Sequence, residues 1–258
     1  MKISSRNLQL NVVESGAGRT ALVFQHYWGG SSRTWNEVIA ALSDRFRCVA
    51  SDARGAGDSQ APATGYSMQD HAGDALSVIE ALGLERYVLV GHSMGGKAAQ
   101  LLAARRPRGL AGLVLVASSP LSPMAIPEEQ RAVMKKAYDD RAAVEGTLDN
   151  VLLGSPVPAA VRERLIADSL RLSPEATNGW IEIGSREDFR EKAAEVAVPV
   201  GIIAGELDRV DPIAIVKSHL VPSYPAATVR FLPNKGHLLP VEAPQDVADL
   251  IRFVAEAR

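Results

Sequence analysis

The chain has a single cysteine, Cys48, so no intrachain disulfide can form, and a cytoplasmic address is expected. Cys48 lies in Phe46-Arg-Cys-Val-Ala50, where it reads as a small buried hydrophobe. Aromatic residues make up only 5% of the sequence, too few for a base-stacking platform. Charge of either sign is not in surplus: 28 Lys and Arg face 30 Asp and Glu, a net charge of −2, so the basic footprint of a nucleic-acid binder is missing. The longest apolar runs are strand-sized, and no membrane-spanning helix is expected. The start, Met1-Lys2-Ile3-Ser4-Ser5-Arg6-Asn7, has charge but no apolar core, so no secretory signal is expected. H-E-x-x-H, C-x-x-C and G-x-x-x-x-G-K-[ST] patterns are all lacking, and neither a metal nor a cofactor is expected. There is no internal repeat and no low-complexity tract.

What is present is apolar and periodic. Hydrophobic residues make up 47% of 258, enough for one large core or a core with an appended subdomain. Leu8 to Val13 alternates like an antiparallel strand and meets a turn at Ser15-Gly-Ala-Gly18. Thr20–Gln25, Phe46–Ser51, Tyr87–Val90, Leu113–Ala117, Val198–Ala204 and Thr228–Leu232 read as further strands. Most are continuous apolar runs, as in strands covered on both faces. Helices are predicted at Thr34–Ser43, Met68–Leu82, the run after Ser93, Ile213–Leu220 and Pro244–Ala257. Alternating strands and helices imply a parallel sheet with helices on both faces. The rhythm breaks between Leu121 and Val196, where helical patches near Glu128–Tyr138, Ala159–Leu170 and Thr177–Arg190 replace strands. So long an insertion is not a bare loop; it reads as a helical cap at 121–196, set into a core formed by 1–120 and 197–258.

The chemistry centres on Val88-Leu-Val-Gly-His-Ser-Met-Gly-Gly-Lys97. Gly91-His-Ser-Met-Gly95 matches G-x-S-x-G, the nucleophile elbow. A strand ends, the chain reverses, a helix begins at once, and Ser93 sits at the apex. Glycines two positions to either side permit a close approach of strand and helix that larger side chains would block. Backbone N–H groups at the helix start face a developing negative charge.

A serine hydroxyl needs a base, and the base needs an orienting acid. His92 adjoins the serine and cannot fold back onto it, so it reads as a packing residue. His71 lies within a predicted helix and reads as structural, and His219 near a helix end reads as solvated. His237 follows the last strand, in Pro233-Asn-Lys-Gly-His-Leu-Leu-Pro240, and is placed to reach the elbow. The acid comes from Gly205-Glu-Leu-Asp-Arg-Val-Asp-Pro212, which offers Glu206, Asp208 and Asp211. Asp208, a short carboxylate a few residues past the strand, suits the role. Asp211, before Pro212, reads as a helix N-cap.

Over its whole length the chain resembles an α/β-hydrolase. Besides the elbow, Asp52-Ala-Arg-Gly-Ala-Gly-Asp-Ser59 resembles the family's D-x-R-G-x-G-x-S loop. Gly205–Pro212 resembles its G-x-x-D-x-x-x-P acid loop, and Gly236-His237 with Glu242-Ala-Pro244 its histidine loop. The resemblance implies an α/β-hydrolase fold, a mostly parallel twisted sheet of about eight strands with helices on both faces and the cap set before the acid-bearing strand. It implies the triad Ser93, Asp208 and His237, with the Trp28 and Met94 main-chain N–H groups as oxyanion donors. One departure is His26-Tyr27-Trp28-Gly29-Gly30-Ser31, where Tyr27 stands at the family's usual glycine.

The same resemblance orders the possible activities. Serine rather than aspartate at the elbow argues against haloalkane dehalogenase and epoxide hydrolase, which need a carboxylate nucleophile. A serine attacks acyl carbon, so a small-molecule carboxylic ester ranks first. Lactonase, carbon–carbon bond hydrolase and cofactor-free haloperoxidase or perhydrolase are alternatives, and a ligand-binding receptor on the same fold is an alternative of another class. Tyr27, Trp28, Tyr138 and Trp180 are candidate substrate contacts, with aromatic packing over the sheet end an equal reading of Tyr27 and Trp28. Arg186 and Arg190 leave room for a substrate carboxylate.

Overall fold

A computed structural model describes residues 1–6 and 8–257. Eight strands form one sheet in the order β1-β2-β4-β3-β5-β6-β7-β8: β1 Lys2–Ser5, β2 Leu8–Ser15, β3 Ala21–Gln25, β4 Arg47–Ser51, β5 Tyr87–His92, β6 Leu110–Val116, β7 Val200–Gly205 and β8 Thr228–Leu232. β1 and β2 are antiparallel to their neighbours, and the remaining six strands run parallel. The chain leaves β3 toward β4 on one side and returns as β5 on the other. A crevice therefore opens at the carboxyl ends of β3 and β5, the switch point where open α/β sheets bind ligands.

The apolar runs are explained by cover on both faces. In β5, Val88 and Val90 pack into a core with Trp35, Val38, Leu250 and Ile251, while Tyr87 and Leu89 pack into a second core on the opposite face. The helices Met68–Ala81 and Met94–Ala104 cover one side, and Asn36–Ala40 with Pro244–Glu256 the other. The predicted Thr34–Ser43 helix is instead a 3-10 turn, Ser32–Trp35, leading into Asn36–Ala40. β7 starts at Val200 rather than Val198 because Pro199 has no N–H to give the ladder; only its carbonyl is used, accepting from Leu113 N–H.

β1 has no counterpart among the predicted strands. It is a four-residue edge strand with Ile3 and Ser5 turned inward, too short and too polar to show a period. A buried polar network fixes it. Ser5 Oγ donates to Asp74 Oδ1 at 2.7 Å, and Arg54 holds both Asp74 oxygens at 2.7 Å. Removing one partner of this buried pair would cost about 3–5 kcal/mol.

Between β6 and β7 the described chain contains helices and no strand: Glu128–Met134, Arg141–Thr147 widening into Leu148–Leu152, Ala159–Ser169, Pro174–Asn178 widening into Gly179–Gly184, and Arg190–Glu195. Lys97, fully buried in the first turn after Ser93, fastens both ends of this segment. Its ammonium donates to the carbonyls of Ser122 at 3.2 Å and Glu187 at 2.7 Å, and burial pushes its pKa down to about 8. No helix is long and apolar enough to cross a membrane among the described residues.

Candidate active site

Ser93 follows β5 directly, with φ +53° and ψ −118°, a left-handed conformation that costs a non-glycine residue of order 1–3 kcal/mol. The surrounding glycines make it possible. A Cβ on Gly91 would lie 2.5 Å from Gly96 Cα, and one on Gly95 would lie 2.5 Å from the Gln25 carbonyl oxygen. The bend therefore brings the helix Met94–Ala104 against the end of β3 with no room to spare. Ser93 Oγ makes no hydrogen bond among the described residues, so its hydroxyl is free to rotate.

His237 lies behind β8 and is 1% exposed. Its Nδ1–H donates to Asp208 Oδ2 at 2.8 Å. Asp208 Oδ1 accepts from the N–H groups of Val210 at 2.8 Å and Asp211 at 3.0 Å. This fixes the carboxylate and so the tautomer of the imidazole. Burial lowers the His237 pKa, but the charge and hydrogen bond of Asp208, with Asp211 and Glu242 further off, outweigh it and hold the pKa above 6.5.

The main chain of His237 is pinned from several sides. Its N–H donates to the Leu152 carbonyl at 2.8 Å, and its carbonyl accepts from His92 Nε2–H at 2.8 Å. His92 is thus more than packing: it ties the elbow to the histidine loop. Burial first, and neighbouring His237 second, keep His92 neutral. Glu242 accepts from Gly236 N–H at 3.0 Å and Leu238 N–H at 3.1 Å, and also from Gly154 and Ser155. One buried carboxylate thereby cradles the histidine loop and joins it to the inserted helices.

Asp211 is not the helix N-cap expected from its place before Pro212. The turn at Ile213 is preceded by Pro212 and has no side-chain cap. Asp211 is instead 1% exposed and accepts from Ser119 Oγ at 3.0 Å. Burial and the charge of Asp208 push its pKa up to about 7. Of the remaining histidines, His71 lies inside the helix Met68–Ala81, its pKa pushed down to about 4 by burial and Arg54, and His219 is exposed.

The loop after β3 adopts a conformation that tolerates Tyr27, whose φ is not positive. His26 Nε2 accepts from Ala53 N–H at 2.8 Å, so the ring proton sits on Nδ1 and donates to the Tyr27 carbonyl at 2.7 Å. The same carbonyl accepts from Gly30 N–H at 3.0 Å. In a planar trans peptide the N–H of Trp28 then points the opposite way. Neither Trp28 N–H nor Met94 N–H has a protein acceptor among the described residues, and Met94 N–H is one of the donors a helix start leaves open. Tyr138 Oη–H donates to the Trp28 carbonyl at 3.0 Å, and the two rings lie 4.6 Å apart.

A cavity of about 420 Å³ reaches this corner. Tyr27, Trp28, Ser93, Tyr138, Trp180 and His237 all line it. Asp208 lies outside, behind the imidazole, and Met94 contributes to a smaller cavity beneath. Tyr27 is 1% exposed, its ring 5.1 Å from that of His92, so it serves as both packing and wall. Arg186 and Arg190 do not reach the cavity; they pair with Glu128, Glu182 and Asp188. No group of three or more His, Cys, Asp or Glu among the described residues is arranged to hold a metal.

Comparison with known proteins agrees with this architecture. Residues 20–144 match the family described as the alpha/beta hydrolase fold. The chain is 30% identical to the 2-(acetamidomethylene)succinate hydrolase of Mesorhizobium japonicum, over 95% of this chain and 90% of that one. It is 30% identical to a bifunctional esterase/perhydrolase of Acinetobacter calcoaceticus, over 90% of this chain and 91% of that one. The solved structure of an esterase from Exiguobacterium antarcticum superposes with a TM-score of 0.91 at 20% identity, covering 100% of this chain and 99% of that one. Similarity that runs almost end to end, on a sheet of this order with a G-x-S-x-G turn after its fifth strand, places the chain in the α/β-hydrolase fold family.

Proposed function

We propose that the protein is a serine hydrolase that cleaves a small-molecule carboxylic ester through an acyl-enzyme. The observation that carries this reading is the buried His237–Asp208 pair, joined at 2.8 Å, opening onto the same cavity as Ser93. Ser93 Oγ attacks the ester carbonyl while His237 Nε2 takes its proton, and the Asp208 carboxylate stabilises the imidazolium. The carbonyl oxygen gains negative charge and accepts from Trp28 N–H and Met94 N–H, two donors with no protein acceptor among the described residues. The imidazolium returns the proton to the leaving alcohol. Water then attacks the acyl-enzyme, again with His237 as base, releasing the acid and restoring Ser93. Residues 121–196 act as the cap that shapes the acyl pocket. The hydrolase and esterase names carried by the relatives support hydrolysis as the reaction class.

Two results test the reading. A fluorophosphonate is expected to label one residue, found as an adduct on the Ser93 peptide by mass spectrometry; labelling at another residue would refute the assignment. The second concerns the Trp28 carbonyl. Tyr138→Phe removes a neutral hydrogen bond worth about 0.5–1.5 kcal/mol. It is expected to lower kcat roughly three- to tenfold, by loosening the peptide that follows Trp28 N–H, while Tm falls by only a few degrees. An unchanged kcat would show that the loop holds its shape without the cap.

A further inference from the structure

Among the described residues, the cavity that reaches Ser93 and His237 is lined by two cations, Lys136 and Arg209, and no anion. Lys136 and Arg209 contribute to its wall, and no aspartate or glutamate does, in a chain with 30 acidic residues. This is unlike the rest of the inserted segment. Residues 121–196 contain ten Lys and Arg, and all but Lys136 form ion pairs. The contrast is sharpest with the preceding residue: Lys135 lies 2.6 Å from Glu182, whereas Lys136 has no carboxylate partner among the described residues. Arg209 also has none. Its Nη1 donates to the Asn150 carbonyl at 3.0 Å, which holds the guanidinium at the cavity wall and leaves most of its N–H groups without an acceptor among the described residues.

The rest of the wall is mostly apolar, with Met124, Ile126, Val133, Met134, Val151 and Leu152. A mostly apolar cavity with a serine and two cations that lack a carboxylate partner among the described residues offers groups complementary to an ester carbonyl, a methylene chain and an anion. The guanidinium fork matches a carboxylate, and a cavity lined by one sign of charge concentrates the opposite sign. The geometry points to a substrate ester that carries a free carboxylate, held by Lys136 and Arg209 while its ester carbonyl lies at Ser93. This rests on the proposed serine-hydrolase reading and names its substrate class. The carboxylate belongs either to the acyl part or to the alcohol part, and the two arms of the test separate these.

The acyl arm compares monomethyl adipate with dimethyl adipate. The alcohol arm compares 4-acetoxybutanoate with its methyl ester. In at least one arm the carboxylate ester is expected to have a kcat/KM about tenfold or more above its neutral partner. Lys136→Gln and Arg209→Gln are each expected to cut that ratio about three- to tenfold, mainly through KM for the anionic ester, as loss of uniform binding does. The double variant brings the ratio close to one, and added salt lowers it in the unmutated protein. Lys192→Gln, whose ammonium pairs with Glu195 outside the cavity, leaves the ratio unchanged. A ratio of one or less in both arms overturns the inference, as does a preference that survives in the double variant. If neutral esters are then hydrolysed by the unmutated protein but not by Ser93→Ala, the hydrolase reading stands without the anion site. If the unmutated protein hydrolyses no ester and takes no fluorophosphonate label, both fail.

Discussion

Ser93→Ala is expected to lower kcat by roughly 10³- to 10⁶-fold and to leave the fold intact. The size follows from the chemistry: the variant has no atom with which to form the acyl-enzyme. A residual rate is expected from substrate binding and from the proposed oxyanion donors, Trp28 N–H and Met94 N–H. The fold survives because Ser93 Oγ makes no hydrogen bond among the described residues, so its loss orphans no partner, and alanine inherits a backbone conformation already imposed by its neighbours. Initial rates on a p-nitrophenyl ester and a thermal melt on the same sample check both halves. Ester hydrolysis at the unmutated rate by the alanine variant would remove Ser93 from the mechanism.

The strands legible in the sequence were those that lie between two layers of helices. β3, β5, β6 and β7 are unbroken apolar runs because neither face meets water. β1 was illegible for the opposite reason: it is short, at an edge, and held by the Ser5–Asp74–Arg54 network rather than by a hydrophobic stripe. The helices between β6 and β7 were visible as patches with wrong ends. Glu128–Tyr138 stops at Met134, Thr177–Arg190 splits into shorter pieces, and Arg141–Thr147 gave no signal that stood out. Their ends are set by tertiary contacts. Arg131, a charge that sequence alone would place on a solvated face, is buried and donates to Ser185 Oγ at 2.7 Å and to the carbonyl of Met124 at 3.3 Å.

The candidate site divides in the same way. Ser93, Asp208 and His237 were legible because each sits in a local motif at a strand end. The residues that hold them were not, because their partners are remote in sequence. His92 meets the carbonyl of His237 across 145 positions, Glu242 meets Gly154 across 88, and Asp211 meets Ser119 across 92. Asp211 shows how local reading misleads: an aspartate before a proline and a helix has the pattern of an N-cap, yet its side chain turns inward to Ser119. Lys136 and Arg209 carried no local signal at all, since an unpaired charge is defined by what is missing around it in space.

His237→Ala is expected to cost about as much as Ser93→Ala, because base and nucleophile act as a unit, and the double variant should be little worse than either. The base is active only when neutral, so kcat/KM rises with pH to a plateau. Its inflection lies above the ordinary 6.5, since Asp208 favours the imidazolium more than burial disfavours it. Asp208→Asn removes both the charge and the acceptor that fix the tautomer; kcat is expected to fall by roughly 10²- to 10⁴-fold and the inflection to move to lower pH. Asp211→Asn provides the contrast. An amide oxygen still accepts from Ser119 Oγ, and the Asp208 carboxylate that holds the imidazole is untouched, so the charge lost is one that does not hydrogen-bond His237. That variant should keep kcat within about threefold on the plateau and shift the inflection down by less than Asp208→Asn does. Rates from pH 5 to 9 on all five variants, each checked for folding by circular dichroism, make the comparison. A large loss in Asp211→Asn with a small one in Asp208→Asn would exchange the two carboxylates. Activity retained in a folded His237→Ala would remove the base and, with it, the proposed mechanism.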